Sequence, residues 1–382
     1  MRGAHRSNQA LHRTGKATML RQLRIRNFRL FDDLRIAGLE RINLLGGRNN
    51  AGKTSVLEAV FLLSGGGNPH LAFRLNAFRG LDLARGSPDV VAATHWKTLF
   101  ANLEIDGAIT VSGVHTEHDR LVLDVLPPTR SGTIPLPQAV ATNGGVGVRE
   151  GPPPGAGRTD GEPMSPLELR CLYRRGGEST DAHLRLTSEG LELSVPKPLV
   201  SFRGVFLSSR SGSPQEDAGR WAQLRQRKMG HLLTEALRNV EPRLRAVEEL
   251  SASGAPMIWA DMGLSEMLPL PALGEGMTRL ARIVLGITAA RHGVVLIDEI
   301  ENGFHHSALG KVWTVVDETA RRFEAQVFAT THSFECLSAA HAALDGGWRY
   351  HRLERSGDGE TSCVTFNAED VEVAVHRGLE VR

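Results

Sequence analysis

Nine residues near the N-terminal end constrain this chain more than any others. They read Gly47-Arg48-Asn49-Asn50-Ala51-Gly52-Lys53-Thr54-Ser55, with the spacing G-x-x-x-x-G-K-T. The run before them, Ile42-Asn43-Leu44-Leu45, reads as a buried strand. The run after them, to Leu63, carries apolar residues at helical spacing. Strand, glycine turn and helix is the local order that a phosphate-binding loop demands. Glycine lets the backbone curl until successive N–H groups and the helix N-terminus face one anion. Lys53 is then placed to add a point charge at the β- and γ-phosphates, and Thr54 to offer its hydroxyl to Mg²⁺.

A second segment supplies acids. Val294-Val295-Leu296-Ile297-Asp298-Glu299 is four apolar residues followed by two carboxylates. A central parallel strand is buried on both faces and so reads as a continuous apolar run. Its C-terminal end is where α/β sheets bind ligands. Asp298 is expected to hold the Mg²⁺ shell, and Glu299 to orient and polarise an attacking water. Gln326 to Ser333 reads as another short buried strand, ending at His332. This histidine either senses a γ-phosphate or belongs to a capping Thr-His-Ser turn. Leu273-Gly274-Glu275-Gly276-Met277 precedes an apolar helix, Ile283 to Ala290, so Gly274 and Gly276 form a glycine turn feeding a helix N-terminus, a second phosphate-binding candidate. Asn302-Gly303 reads as a turn. The neighbouring His305 and His306 have no partner ligands at useful spacing, which argues against a metal site there.

Lys53 and Asp298 are 245 residues apart, too far for a minimal nucleotide fold, so an inserted lobe must lie between them. At 382 residues the chain holds two average domains or one large α/β domain with an insertion. Its 41% apolar and 23% charged residues suit a globular protein with a sizeable core. No apolar run approaches the roughly 20 residues that span a bilayer. Cys171, Cys336 and Cys363 are far apart and read as free thiols of a reducing cytoplasm. Net charge is only +2, yet residues 1–29 hold eight Lys or Arg and no acid. They read as a nucleic-acid arm or, for the unpatterned residues 1–18, as a disordered leader.

Alternating patterns predict strands over 20–46, 103–125, 183–207 and 243–250. A helical period runs from Arg220 to Val240. Residues 127–168 are rich in Pro, Gly, Thr and Ser and read as a long mobile surface loop. The expected organisation is one domain over 19–382. Residues 68–205 form an inserted antiparallel, loop-rich lobe, and 206–270 a helical arm and strand leading to the glycine turn. The fold class is α/β: a P-loop core on a mixed, mainly parallel sheet, with an antiparallel β lobe.

Taken together, the motifs resemble the ABC-type ATPases, and within them the SMC/RecF-like and OLD-family (overcoming lysogenisation defect) branch. The likeness rests on Leu23-x-Ile25-x-Asn27-Phe28-Arg29, the Asn-rich P-loop, Ile297 to Gly303, and Thr330-Thr331-His332-Ser333. It spans residues 20–382, with little contributed by 68–220. The resemblance implies two Mg²⁺-ATP sandwiched in a homodimer. One subunit gives the P-loop, Walker B acids and switch His332. The other gives the signature turn at Gly274 and Gly276. Two positions depart from the pattern: Gly274 stands where the family carries Ser, and His306 where it carries Pro. No later acidic cluster matches the Toprim nuclease domain of OLD proteins, so a nuclease is expected to be a separate protein. The implied function is an ATP-hydrolysing switch without a membrane span, linked to DNA repair or phage defence through a separate nuclease or toxin effector. Basic residues over 220–245 are read either as DNA contacts or as a solvated helix face. The alternative is a low-turnover ATP-binding module that restrains a toxic partner. A transporter motor fits least, because no LSGGQ signature occurs.

Overall fold

The structure, a computed structural model, describes residues 19–80, 90, 92–116, 119–130, 167–187, 190–195, 199, 202–209, 212–251 and 254–376. The leader expected at 1–18, and residues 131–166 of the loop expected at 127–168, lie outside the described residues. A six-stranded sheet forms the centre, in the order β10 (Gly204–Leu207), β14 (Val294–Ile297), β15 (Gln326–Thr330), β3 (Ile42–Gly47), β16 (Trp348–Arg355), β17 (Thr361–Phe366). All neighbours pair in parallel except β16 and β17. The strands β3, β14 and β15 are buried at every position, as their apolar runs require.

Alternation along these strands divides the core. Val295, Ile297, Val327 and Ala329 face a helical layer that includes α5 (Glu275–Ala289) and α6 (Leu309–Phe323). Val294, Leu296 and Phe328 face the opposite way, towards α1 (Lys53–Ser64) and a second, antiparallel sheet. That sheet runs β2 (Phe31–Ala37), β1 (Gln22–Phe28), β4 (Ile109–Thr116), β5 (Asp119–Val125), β7 (Leu167–Arg175), β8 (Glu178–Thr187), β9 (Gly190–Ser194), with β6 (Thr129–Arg130) on β7. It takes β1 and β2 from ahead of the P-loop, so the antiparallel layer is not made from residues 68–205 alone. A small sheet joins β11 (Ala246–Leu250), β12 (Met257–Asp261) and β13 (Leu268–Pro269). No helix among the described residues is long and apolar enough to cross a membrane.

The helical period over 220–240 resolves into two helices, α3 (Pro214–Gln226) and α4 (His231–Arg238). Lys228 takes a left-handed φ of 60° between them. Its N–H donates to Arg225 O and that of Met229 to Leu224 O, which closes the end of α3 in the manner of a helix C-cap. An apolar period carries no information about such a break, because Leu224, Leu232 and Leu233 all remain buried across it. The remaining helices are α2 (His70–Phe78), α7 (Phe334–Ala343) and α8 (Ala368–His376).

Two buried polar side chains inside the central sheet, Asn43 and His351, find local partners. Asn43, fully buried on β3, donates to Glu40 O and Val327 O and accepts the Glu40 N–H, tying the strand to its entry turn and to β15. On β16, buried His351 lies 3.3 Å from Asn43 Oδ1 and 3.0 Å from Thr365 Oγ1. Burial holds its imidazole neutral and pushes its pKa down to about 3 from 6.5, with the nearby Arg349 adding to the shift. Between these values the unfolded chain binds a proton that the folded chain refuses, so stability falls as pH falls across that window. Each unit is worth up to about 1.4 kcal/mol. Melting temperature followed from neutral pH to pH 4 should therefore drop less steeply in His351→Gln, which keeps polar contacts without a titrating ring, than in the wild-type chain.

Candidate active site

The P-loop leaves β3 at Gly47 and enters α1 at Lys53. Gly47 has φ 127°, and a Cβ there would lie 2.3 Å from Leu353 O. Gly52 has φ 96°, and its Cβ would meet the Phe31 ring at 2.5 Å. Both conformation and space thus require glycine at these two positions. Gly52 supplies no side-chain cap to α1, and no acid lies in the first turn. By contrast, Ser213 and Ser333 cap α3 and α7 through Glu216 N and Cys336 N. The first-turn amides of α1 are therefore left to an anion.

Around this turn lies an open cleft of about 640 Å³. Its lining includes Asn49, Asn50, Gly52, Lys53, Thr54 and Ser55 of the P-loop, with Asp298, Glu299 and Thr330 from the adjacent strand ends. Lys53 Nζ donates to Gly47 O at 2.7 Å and Arg48 O at 3.1 Å, folding over the loop. Burial holds its ammonium below the usual lysine range, against the opposing charges of Glu301, Asp298 and Glu299. Thr54 Oγ1 donates to Asp298 Oδ1 at 2.9 Å. Burial also lifts the Asp298 carboxyl above its usual range, against hydrogen bonds from Thr330 and Thr54, while Glu299 and Glu58 push it further up.

The hydroxyl and carboxylate of this pair are hard oxygen donors, side by side at the loop where the phosphates would lie. Mg²⁺ is commonly held by one or two carboxylates together with phosphate oxygens and water, rather than by a closed protein cage. Thr54 and Asp298 fit that role, and a buried carboxyl above its usual range is the state that a divalent cation relieves.

The strand order explains why a third residue matters. Because β15 lies between β3 and β14, its last residue, Thr330, emerges between the P-loop and the two acids. Its hydroxyl donates to Asp298 Oδ1 at 2.8 Å and accepts the Glu299 N–H at 2.7 Å. Glu299 has a left-handed φ of 49°, and its carboxylate accepts from Asn302 Nδ2 at 2.6 Å.

Two family models match the chain on either side of the antiparallel lobe. One, described as "AAA ATPase domain", covers residues 19–94 and so takes in the P-loop. The other, described as "AAA domain, putative AbiEii toxin, Type IV TA system", covers residues 195–338 and takes in both acids. The chain is a P-loop ATPase. A curated relative, an ATP/GTP phosphatase of Helicobacter pylori (strain ATCC 700392 / 26695), is 22% identical over 350 residues, 84% of this chain and 86% of the relative. Among solved structures, an SMC head bound to the C-winged helix domain of ScpA aligns with 93% of this chain and 99% of its own, at 12% identity and a TM-score of 0.49. The SMC head domain from Thermotoga maritima aligns with 91% and 99%, at 13% identity and a TM-score of 0.42.

The fold brings together Asn49, Asn50, Gly52, Lys53, Thr54, Ser55, Asp298 and Glu299 in one cleft. Gly47 and His332 instead line a small hollow beside it, with Tyr350 and Phe334. His332 is half exposed, and its Nδ1 lies 3.1 Å from Glu301 Oε1. Gly274 and Gly276 are not among the residues lining the cleft of their own chain. Arg48 contributes its carbonyl to Lys53, and Ala51 closes the loop by donating its N–H to Arg48 O. Much of the basic stretch over 220–245 is paired internally. Arg220 meets Glu216 and Asp217, Arg225 meets Glu248, Arg243 meets Glu241, and Arg238 donates to Leu244 O. This favours the solvated-face reading of that stretch over DNA contact. Thr330 and Asn302 have hydrogen-bonding roles that spacing does not reveal. The signal within reach was a hydroxyl at the end of the strand preceding His332.

Supporting partners of metal ligands typically contribute about 10–100-fold to affinity or activity. Thr330→Val keeps the strand's shape but removes both contacts. Turnover measured against Mg²⁺ concentration should fall by about that factor, with a raised Mg²⁺ requirement.

Proposed function

We propose that this protein is an ATP-hydrolysing switch that closes as a homodimer around two Mg²⁺-ATP. The observation that carries the reading is which residues line the cleft. P-loop, Mg²⁺ donors and candidate base are among them, whereas Gly274 and Gly276 of the same chain are not. Gly274, with φ 104°, is exposed, and a Cβ there would meet nothing within 4 Å. That surface is open to a second copy, and the uncapped turn feeds the N-terminus of α5.

In this reading the P-loop amides and Lys53 hold the phosphates, and Thr54 and Asp298 hold Mg²⁺. When bound, Mg²⁺ neutralises charge on the β- and γ-phosphate oxygens. Glu299 orients a water and takes its proton as the water oxygen bonds to the γ-phosphorus. The bond from that phosphorus to the β–γ bridging oxygen breaks, leaving ADP and phosphate. His332, beside Gly47, follows the γ-phosphate from the edge of the site. Loss of the bridging phosphate reopens the dimer. The output is coupling to DNA repair or phage-defence machinery through a separate nuclease or toxin effector.

Two features favour a second reading, a low-turnover ATP-binding module restraining a toxic partner. Gly274 offers no hydroxyl where the resembling family carries one, and Asn302 occupies an oxygen of the Glu299 carboxylate. A match to a family model named for a toxin–antitoxin system points the same way.

The deciding measurement is ATP turnover together with the oligomeric state by light scattering. Glu299→Gln should cut turnover by about 10²-fold or more and leave a dimer that persists in Mg²⁺-ATP. A variant that binds ATP and stays monomeric would sink the switch. Tight ATP binding with no wild-type turnover, with or without duplex DNA, would transfer support to the regulatory module.

A further inference from the structure

Arg279 lies on α5, one turn beyond Gly276, and is only 6% exposed. Burial holds its guanidinium below the usual arginine range, and Arg282 adds to this, while Asp298, Glu299 and Glu275 oppose it. Its hydrogen bonds go to backbone carbonyls. Nη1 donates to Ser208 O at 3.0 Å, and Nη2 donates to Asp298 O at 2.6 Å, with Glu299 O at 3.5 Å. Nε is buried with no partner. A cation taken out of water without a hydrogen-bonded carboxylate is costly, and neutral carbonyls return only part of that cost. The carbonyls belong to residues following β10 and β14, beside the nucleotide cleft.

Asp298 O and the Glu299 N–H belong to the same peptide unit. Arg279 holds its oxygen, and Thr330 Oγ1 holds its N–H at 2.7 Å. That peptide sets φ at Glu299, which at 49° is left-handed for a residue with a side chain. Such a conformation costs on the order of 1–3 kcal/mol and persists only where the surroundings impose it. With both sides of the peptide fixed, it cannot flip, and the Glu299 side chain leaves the backbone in one direction.

We infer that Arg279 is a positioning residue for ATP hydrolysis: its buried fork locks the Asp298–Glu299 peptide and so aims the Glu299 carboxylate at the attacking water. This rests on the reading of Glu299 as the residue that activates water. Lysine cannot replace the fork, because a single ammonium does not reproduce a planar guanidinium that reaches carbonyls of two strand ends at once.

A mutant cycle tests it with wild type, Arg279→Lys, Glu299→Gln and the double variant. Single-turnover rate, kcat, KM and ATP affinity are measured for each. Arg279→Lys is expected to lower kcat by about 10–100-fold, the usual effect of losing a supporting residue, with ATP affinity unchanged. A residue that acts only through Glu299 adds no further loss in the Glu299→Gln background. Additive losses, an unchanged kcat in Arg279→Lys, or a loss confined to ATP affinity would overturn the inference. Wild-type turnover in Glu299→Gln would instead remove the reading beneath it, and the inference with it. Should Arg279→Lys fail to fold, as judged by its melting curve, Arg279→Gln removes the buried charge, keeps a donor, and passes through the same cycle.

Discussion

The Thr330 hydroxyl accepts the Glu299 N–H and donates to the Asp298 carboxylate, which in turn accepts from Thr54. Three segments far apart in the chain meet in this run of hydrogen bonds: the P-loop helix, the acidic strand end and the strand between them. Its geometry follows from strand order. Parallel pairing of β14 with β15 and of β15 with β3 brings three C-terminal ends out side by side at one end of these central strands. A different order would scatter the same residues.

Burial makes this arrangement both costly and specific. Helix α1 is enclosed between the central sheet and the antiparallel sheet, with ten residues from Ser55 to Ser64 buried. One of them is Glu58, whose carboxylate is held by Arg29 at 3.1 Å and by Arg79 at 2.6 Å. Arg79 Nη2 also reaches Ser55 Oγ at 3.3 Å, and Arg29 donates to Thr98 O and Asn76 Oδ1. The Arg29–Glu58 pair is buried on both sides and contributes little net stability, yet removing Glu58 would strand the Arg29 charge. The network thereby fixes the register of α1 against β1, α2 and the lobe, and with it the direction in which the P-loop faces.

Legibility in the sequence followed the range of the interaction. The P-loop was readable because strand, turn, helix and lysine are contiguous, and the positive φ at Gly47 and Gly52 is a local demand, although the close packing there comes from distant Leu353 and Phe31. The acidic strand was readable because burial on both faces leaves an unbroken apolar run. The helical period from Arg220 was read as one element, since a left-handed Lys228 leaves no mark on the apolar spacing. Its basic residues suggested a polyanion surface, but their carboxylate partners include Glu248 on a different element. His332 was readable as a strand-end histidine, whereas its pairing with Glu301 depends on how two loops pack.

Contiguous patterning by itself determined the α/β class, the phosphate loop and the pair of acids, because each depends on local backbone conformation and on burial of one strand or helix. Only the tertiary structure decided that β15 lies between β3 and β14, that β1 and β2 join the antiparallel lobe, and that Thr330, Asn302 and Arg279 surround the Glu299 backbone and carboxylate. Those contacts join residues brought together by sheet order and helix packing. A side chain's preference for a conformation carries no record of which distant carbonyl it will meet.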